Sequence, residues 1–154
     1  MTYTIRGLCP EPFSPLFSMS DTELANRNAL RVTANSHPGY PCRISLEDAS
    51  VGETVILLHH VSHNAATPYR SAYAIYVRDI AEAAVYRDSL PPVMQGQSLG
   101  LRGFDSEGML RAARLAGPDG ADGEIRTLFG DPAIAYIHAH NAAHGCFVAQ
   151  VDRG

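Results

Sequence analysis

The segment YIHAHNAAHGC, from Tyr136 to Cys146, contains three histidines, an asparagine and a cysteine within eleven residues. Imidazole and thiolate groups ligate transition metals, and a thiol beside a histidine base can act as a nucleophile. The same side chains also occur in purely structural roles, as imidazoles hydrogen-bonded to neighbouring strands and as a small buried thiol. The segment is therefore where we expect a functional site, and its composition leaves these three roles open.

Alternation along a strand decides which of these side chains share a face. Tyr136, His138 and His140 then lie on one polar face, and the small apolar residues between them lie on the other. If residues 141–145 form the loop, His140 lies opposite Cys146 on the same face. We predict His138, His140 and Cys146 as catalytic residues, with ligation of a divalent metal by the same three as the alternative. A shift of one residue in the return strand would turn Cys146 away.

Two further pairs of residues, together with the asparagine of the same segment, are candidates for ligand binding. Cys42-Arg43 follows a proline-fixed turn, and an arginine there can bind a carboxylate or phosphate with two N–H groups. The alternative is a surface ion pair with a nearby acidic residue. Tyr69-Arg70 ends a polar loop before a predicted strand, and loops that join strands often carry sites. We predict Cys42, Arg43, Tyr69, Arg70 and Asn141 as ligand-binding residues.

The composition of the chain limits the classes of function and reaction that it can perform. The 154 residues carry a formal net charge of −4, which argues against a general nucleic-acid binder. All twelve basic residues are arginines, so Schiff-base chemistry and lysine general bases are excluded. The three cysteines contain no C-x-x-C pair, which fits reduced thiols in a cytoplasm. No signal peptide and no apolar run of bilayer length is present, so we expect a cytoplasmic protein without a membrane partner.

The elements that must position these residues are mostly strands. Ser20 with Glu23 forms a capping box that predicts a helix from Asp21 to about Asn26. Residues 81–97 are predicted as a helix stopped by two prolines, and residues 123–130 as a helix capped by Asp122. The remaining predictions are two hairpins, formed by residues 54–61 with 71–79 and by 99–104 with 109–115, short strands at 2–8, 29–34 and 42–46, and a C-terminal hairpin of residues 133–140 with 146–151.

About seven or eight strands, mostly antiparallel, and two or three short helices predict an α+β fold. We expect one globular domain over residues 1–154, with a strongly curved or barrel-like sheet as one form of it.

Four stretches taken together resemble a small bacterial family catalogued as domain of unknown function 1203. They are GYPCRISLEDASVGETVILL, TPYRSAYAIYVRD, LRGFDSEGM and YIHAHNAAHGCFVAQVDR, and they span Tyr40 to Arg153 in matching order and spacing. The resemblance implies a stand-alone protein and no particular activity or cofactor. Ser45 stands where some relatives carry a second cysteine, which weakens a cysteine-rich metal site. His59 and His60 also depart from the pattern, so no essential role is placed on them.

These observations combine into one functional hypothesis. A single pocket lined by Cys42, Arg43, Tyr69, Arg70, His138, His140 and Cys146 would bind a small anionic molecule. If the protein is an enzyme, His138 or His140 is the acid/base group, because an ordinary imidazole titrates near neutral pH. Two alternatives stay open: a divalent-metal protein, and a non-catalytic module that forms a homodimer through an exposed sheet edge.

Overall fold

The computed structural model describes residues 1–154, which form nine strands, two α-helices and two short 3₁₀ turns. The strands are β1 (Tyr3–Arg6), β2 (Ala29–Thr33), β3 (Thr54–His63), β4 (Ser71–Arg78), β5 (Val85–Arg87), β6 (Leu99–Phe104), β7 (Leu110–Ala116), β8 (Tyr136–Asn141) and β9 (Phe147–Arg153). The helices are α1 (Asp21–Ala25) and α2 (Ala121–Phe129), and the 3₁₀ turns are Ser14–Ser18 and Pro92–Met94.

The strands form two antiparallel sheets. The larger sheet has the order β5-β1-β9-β8-β6-β7, and the smaller has the order β2-β3-β4. The mostly antiparallel α+β fold predicted from the sequence is therefore confirmed. The barrel-like form is not, because the six strands of the larger sheet end in two separate edges, β5 and β7. No helix is long and apolar enough to cross a membrane.

The main core lies between the larger sheet and α2. It contains 18 buried apolar residues, among them Ile137 and Ala139 of β8 and Ile125 and Leu128 of α2. Burial of each such aliphatic side chain other than alanine contributes about 1.5–3 kcal/mol. Alternation therefore places the apolar residues of β8 in this core, as predicted, and leaves its histidines on the opposite face.

Short-range sequence signals identified several elements correctly. Glu23 N–H donates to Ser20 Oγ at 3.2 Å and Ser20 N–H donates to Glu23 Oε1 at 3.3 Å, so the predicted capping box is present at the start of α1. The hairpins β3–β4 and β6–β7 pair as expected.

Two helix predictions need correction. Residues 81–97 are not a helix: they contain β5, which pairs with β1, and the 3₁₀ turn at Pro92–Met94. Alanine content favoured a helix there, but pairing with a strand about 80 residues away decides the conformation. Helix α2 forms, but Gly120 is its N-cap, and the Asp122 carboxylate instead accepts hydrogen bonds from Tyr3 and Arg126.

Candidate functional site

Residues 42–46 form a tight turn instead of the predicted strand. The Sγ atom of Cys42 accepts hydrogen bonds from the backbone N–H groups of Ile44 at 3.3 Å and Ser45 at 3.4 Å, and from Arg78 of β4 at 3.3 Å. Backbone donors that a sheet would have paired are thus satisfied by one sulfur. Cys42 is fully buried, so its role is to shape the turn that carries Arg43.

Arg43 is a buried cation with unused hydrogen-bond donors. Its backbone N–H donates to Tyr76 O of β4 at 3.1 Å, and its carbonyl accepts from Leu8 N–H at 2.8 Å, so its place in the chain is fixed. The residue is 3% exposed. Its Nη2 donates to Cys146 Sγ at 3.4 Å, whereas Nε and Nη1 have no partner. Burial lowers the pKa of Arg43, but guanidinium stays protonated in proteins, so a positive charge is held here.

Arg43 and Cys146 line a cavity of about 690 Å³ that receives residues from both sheets. Its apolar wall is formed by residues of β3, β4 and the 3₁₀ turn Pro92–Met94, and its polar wall carries several side-chain amides. Other residues of its lining are Leu57, Tyr73, Ile75, Tyr76, Val93, Gln95, Gln97, Asn141, His144 and Asp48. The cavity thus combines one buried cation, a carboxylate, uncharged amides and an apolar surface.

The turn between β8 and β9 places Cys146 in this cavity. We expected His140 to lie opposite Cys146, but a register shift after Ala139 pairs His140 with Phe147 instead. Cys146 comes directly before β9, and its carbonyl accepts from Asn141 N–H at 2.9 Å. The Cys146 thiol accepts from Arg43 Nη2 at 3.4 Å.

Asn141 and His140 hold this turn through side-chain hydrogen bonds. The Oδ1 atom of Asn141 accepts from Ala143 N–H at 3.0 Å and from His144 N–H at 2.8 Å, and its Nδ2 donates to a glutamine of the cavity wall. His140 Nδ1 donates to the carbonyl of Gly145 at 2.9 Å, and Gly145 adopts φ +80°, which disfavours other residues. The dense polar segment therefore positions Cys146.

His138 belongs to a second, smaller cavity of about 410 Å³. Gln150 Nε2 donates to the Asp152 carboxylate at 2.7 Å, so Gln150 Oε1 accepts from His138 Nε2 at 3.0 Å. His138 Nδ1 then carries a lone pair, and this buried atom has no partner. Burial lowers the pKa of His138 to about 4, so the imidazole is neutral at pH 7.

The second cavity also contains a coupled histidine and tyrosine. His63 Nδ1 lies 2.9 Å from the carbonyl of Tyr69, which can only accept, so Nδ1 carries the proton. His63 Nε2 lies 2.7 Å from the Tyr136 hydroxyl. His63 is buried and stacks on Phe104 with ring centroids 4.1 Å apart. Two buried imidazoles, those of His63 and His138, therefore lie side by side with ring centroids 5.1 Å apart.

The structure divides the predicted site residues. Arg43, Asn141 and Cys146 line the larger cavity, and His138 lines the smaller one. The other four predicted residues, Cys42, Tyr69, Arg70 and His140, line neither of these two cavities. Arg70 is exposed and donates to Asn64, and the backbone of Tyr69 serves His63.

Several residues of the cavities were not identified from the sequence. Gln95 and Gln97 flank Gly96, which adopts φ +71°, and both glutamines line the larger cavity. Two glutamines on either side of a glycine are a weak signal of a site, and we had included them in the segment 81–97 that was predicted as a helix. His63 follows an apolar strand, and no local pattern distinguishes it from its neighbours His59 and His60.

The divalent-metal alternative depends on whether the side chains that could ligate a metal lie together. No group of three or more His, Cys, Asp or Glu side chains in residues 1–154 is arranged to hold a metal ion. His138 and His140 have ring centroids 6.5 Å apart. One nitrogen of each ring is committed to a hydrogen bond, to Gln150 and to Gly145 respectively.

The chain is thus an α+β protein with two antiparallel sheets and a cavity built around a buried arginine. It belongs to the family described as protein of unknown function (DUF1203), whose sequence profile matches residues 39–153. This match confirms the resemblance found in the sequence. Comparisons with curated proteins and with solved structures give no match.

Proposed function

We propose that this protein binds a small anionic molecule in the larger cavity, with the carboxylate or phosphate of that molecule on Arg43. The observation that carries the proposal is the buried guanidinium whose Nε and Nη1 atoms lack partners. A buried donor without a partner costs about 1–3 kcal/mol, and more if it is charged. An anion that accepts from these nitrogens removes that cost, and the free energy gained in this way adds to the affinity for the anion.

The charges around Arg43 support this proposal. Arg43 forms no salt bridge, whereas five other arginines do, namely Arg31, Arg78, Arg111, Arg114 and Arg126. Asp48 lines the same cavity and favours the charged guanidinium, but it forms no salt bridge with Arg43, and its carboxylate accepts from Gly39 N–H at 3.1 Å. The Nε and Nη1 donors of Arg43 are therefore left for a ligand.

The rest of the cavity wall indicates what the anion is attached to. Gln95, Gln97 and Asn141 line the cavity with uncharged amide groups that also hydrogen-bond within the protein, and Leu57 and Ile75 offer apolar surface. Small-molecule sites combine an apolar wall with a few polar groups that fix orientation. The ligand in this proposal is an organic carboxylate or phosphate ester with a partly apolar body.

His138 and His140 act in this proposal as neutral hydrogen-bonding groups. Burial lowers the pKa of each to about 4. At pH 7 only about one molecule in a thousand would carry the protonated form of either imidazole. Such a group is a poor general acid, so proton transfer by these histidines is not part of the proposed function.

Calorimetric titration with inorganic phosphate, sulfate and acetate tests the proposal. We expect binding by the wild-type chain and a loss of affinity of at least about tenfold in Arg43→Gln, since a hydrogen bond to a charged group contributes about 1.5–3 kcal/mol. Arg70→Gln removes the same charge from an exposed arginine outside the cavity and is the matched control. Equal affinities in the two variants, or no binding by the wild type, would refute the proposal.

A further inference from the structure

We propose that Cys146 is a nucleophile that adds to the carbonyl carbon of a 2-oxo carboxylate whose carboxylate lies on Arg43. This inference rests on the proposed anion binding and gives that ligand a chemical class. The cysteine in this inference, Cys146, is partly exposed and contacts a guanidinium.

The geometry around the guanidinium supports this chemistry. Cys146 Sγ lies 3.4 Å from Arg43 Nη2, while Nε and Nη1 are without partners. A carboxylate that accepts from either of these nitrogens would have an oxygen about 2.8 Å from it. The 2-oxo carbon is bonded to the carboxylate carbon, so the guanidinium that contacts the sulfur also holds this carbon near it; addition requires a separation of about 3–3.5 Å. Short 2-oxo acids fit this spacing because their electrophilic carbon adjoins the carboxylate.

The three cysteines of the chain lie in different electrostatic environments. Cys146 is partly exposed and contacts a guanidinium, which stabilises the negative charge of the thiolate that attacks carbon. Cys9 is exposed and lies 3.5 Å from the carboxylate of Glu11. Cys42 is buried and accepts three backbone hydrogen bonds. The chain therefore contains an accessible thiol beside a cation and an accessible thiol beside an anion.

The proposed step is a reversible addition without oxidation or reduction. A bond forms between Cys146 Sγ and the carbonyl carbon, and the π electron pair of the carbonyl moves to its oxygen. The thiol proton is transferred to that oxygen, so the product is a neutral hydroxyl in a thiohemiketal. Arg43 balances the carboxylate charge throughout. Asn141 and His140 are positioning residues, because they hold the turn that presents the sulfur.

Alkylation by a charged and an uncharged reagent tests the thiol and the cation together. Iodoacetate and iodoacetamide both form a carbon–sulfur bond and release iodide, but only iodoacetate carries a carboxylate. We expect the ratio of the iodoacetate rate to the iodoacetamide rate at Cys146 to exceed that at Cys9 by at least about tenfold, because of the adjacent guanidinium. Peptide mass spectrometry resolves the two sites, and Arg43→Gln should remove the difference while leaving the ratio at Cys9 unchanged.

Carbon NMR with pyruvate labelled with ¹³C at the carbonyl tests the addition itself. We expect a thiohemiketal carbon signal with the wild-type protein, distinct from that of the free hydrate of pyruvate and absent in Cys146→Ser, a variant that changes one atom and keeps the turn. Unfolding curves of both variants establish that they remain folded.

The outcomes separate the two proposals. If phosphate and acetate bind through Arg43 but alkylation shows no preference and pyruvate gives no adduct, the nucleophile is refuted and the anion site stands. If Arg43→Gln changes neither anion binding nor alkylation, both proposals fail. Selective alkylation together with the adduct, both lost in the matching variants, supports the inference.

Discussion

Arg43 and His138 are two buried polar residues with unused hydrogen-bonding atoms, and they respond to burial in opposite ways. Arg43 is 3% exposed and has two donors without partners; His138 is 2% exposed and has one acceptor without a partner. An arginine cannot lose its proton within the pH range of a folded protein, whereas a histidine can. The larger cavity therefore keeps the positive charge of Arg43, whereas His138 brings no charge to the smaller cavity at pH 7.

The difference shows why residue type alone did not locate the site. Both residues lie in polar sequence motifs, and both were assigned to one pocket. The buried arginine keeps its charge and would be stabilised by a bound anion. The buried histidine is neutral at pH 7 and donates to Gln150. A charge that cannot be neutralised is thus the stronger indication of a ligand.

The largest effect that we expect concerns acid stability. The pKa of His138 and of His140 is about 4 in the folded protein against an ordinary value of 6.5. Between these values the unfolded chain binds more protons, so stability decreases as the pH falls from 6.5 to 4, by up to about 3 kcal/mol for each histidine. His138→Gln, which retains a donor to Gln150, should remove its share of this loss.

Urea unfolding at several pH values between 7 and 4 measures this effect. His59→Gln, at an exposed position, controls for the loss of an imidazole. Parallel stability curves for the wild type and His138→Gln would show that the buried imidazole is not held neutral.

The second prediction concerns the cost of the buried cation. Arg43→Met keeps a long apolar stem and removes a charge that has no carboxylate partner, so the free energy of unfolding should rise by about 1–3 kcal/mol while anion binding is lost. Denaturant unfolding without added anions measures the change. A less stable Arg43→Met variant would mean that the charge is already compensated in the free protein.

The smallest effect concerns the second cavity. Tyr136→Phe removes the hydroxyl that is hydrogen-bonded to His63 Nε2 and should lower the free energy of unfolding by about 1–2 kcal/mol. Anion affinity at Arg43 should stay unchanged, since Tyr136 does not line the larger cavity. Scanning calorimetry measures the stability of the variant, and titration calorimetry measures its affinity for the anion. A changed affinity would show that the two cavities are coupled.

Local signals in the sequence predicted the fold well where a few neighbouring residues determine the structure. The capping box of Ser20 and Glu23 and the hairpins β3–β4 and β6–β7 are of this kind. Residues 81–97 were predicted wrongly because a distant contact determines them, and residues 42–46 because a side chain within the segment binds backbone N–H groups that a sheet would have paired. One is fixed by pairing with β1, and the other by the sulfur of Cys42, and neither leaves a local pattern.

The candidate site was predictable only in part for the same reason. The segment from His138 to Cys146 was identified, and so was Arg43, but the distance between them and the role of each depend on the turn after β8. A register shift after Ala139 decides that Phe147, and not Cys146, lies opposite His140. Side-chain alternation cannot locate such a shift, which lies within the alternative left open from the sequence.

Strand β1 lies inside the larger sheet, between β5 and β9, although it precedes the part of the chain that the family profile covers. A truncated version comprising only residues 39–153 would leave both of those strands without their shared neighbour. It would also lose Leu8, whose amide is bonded to the carbonyl of Arg43. Expression of residues 39–153 alone should therefore yield aggregating material, and residues 1–154 are the unit to produce.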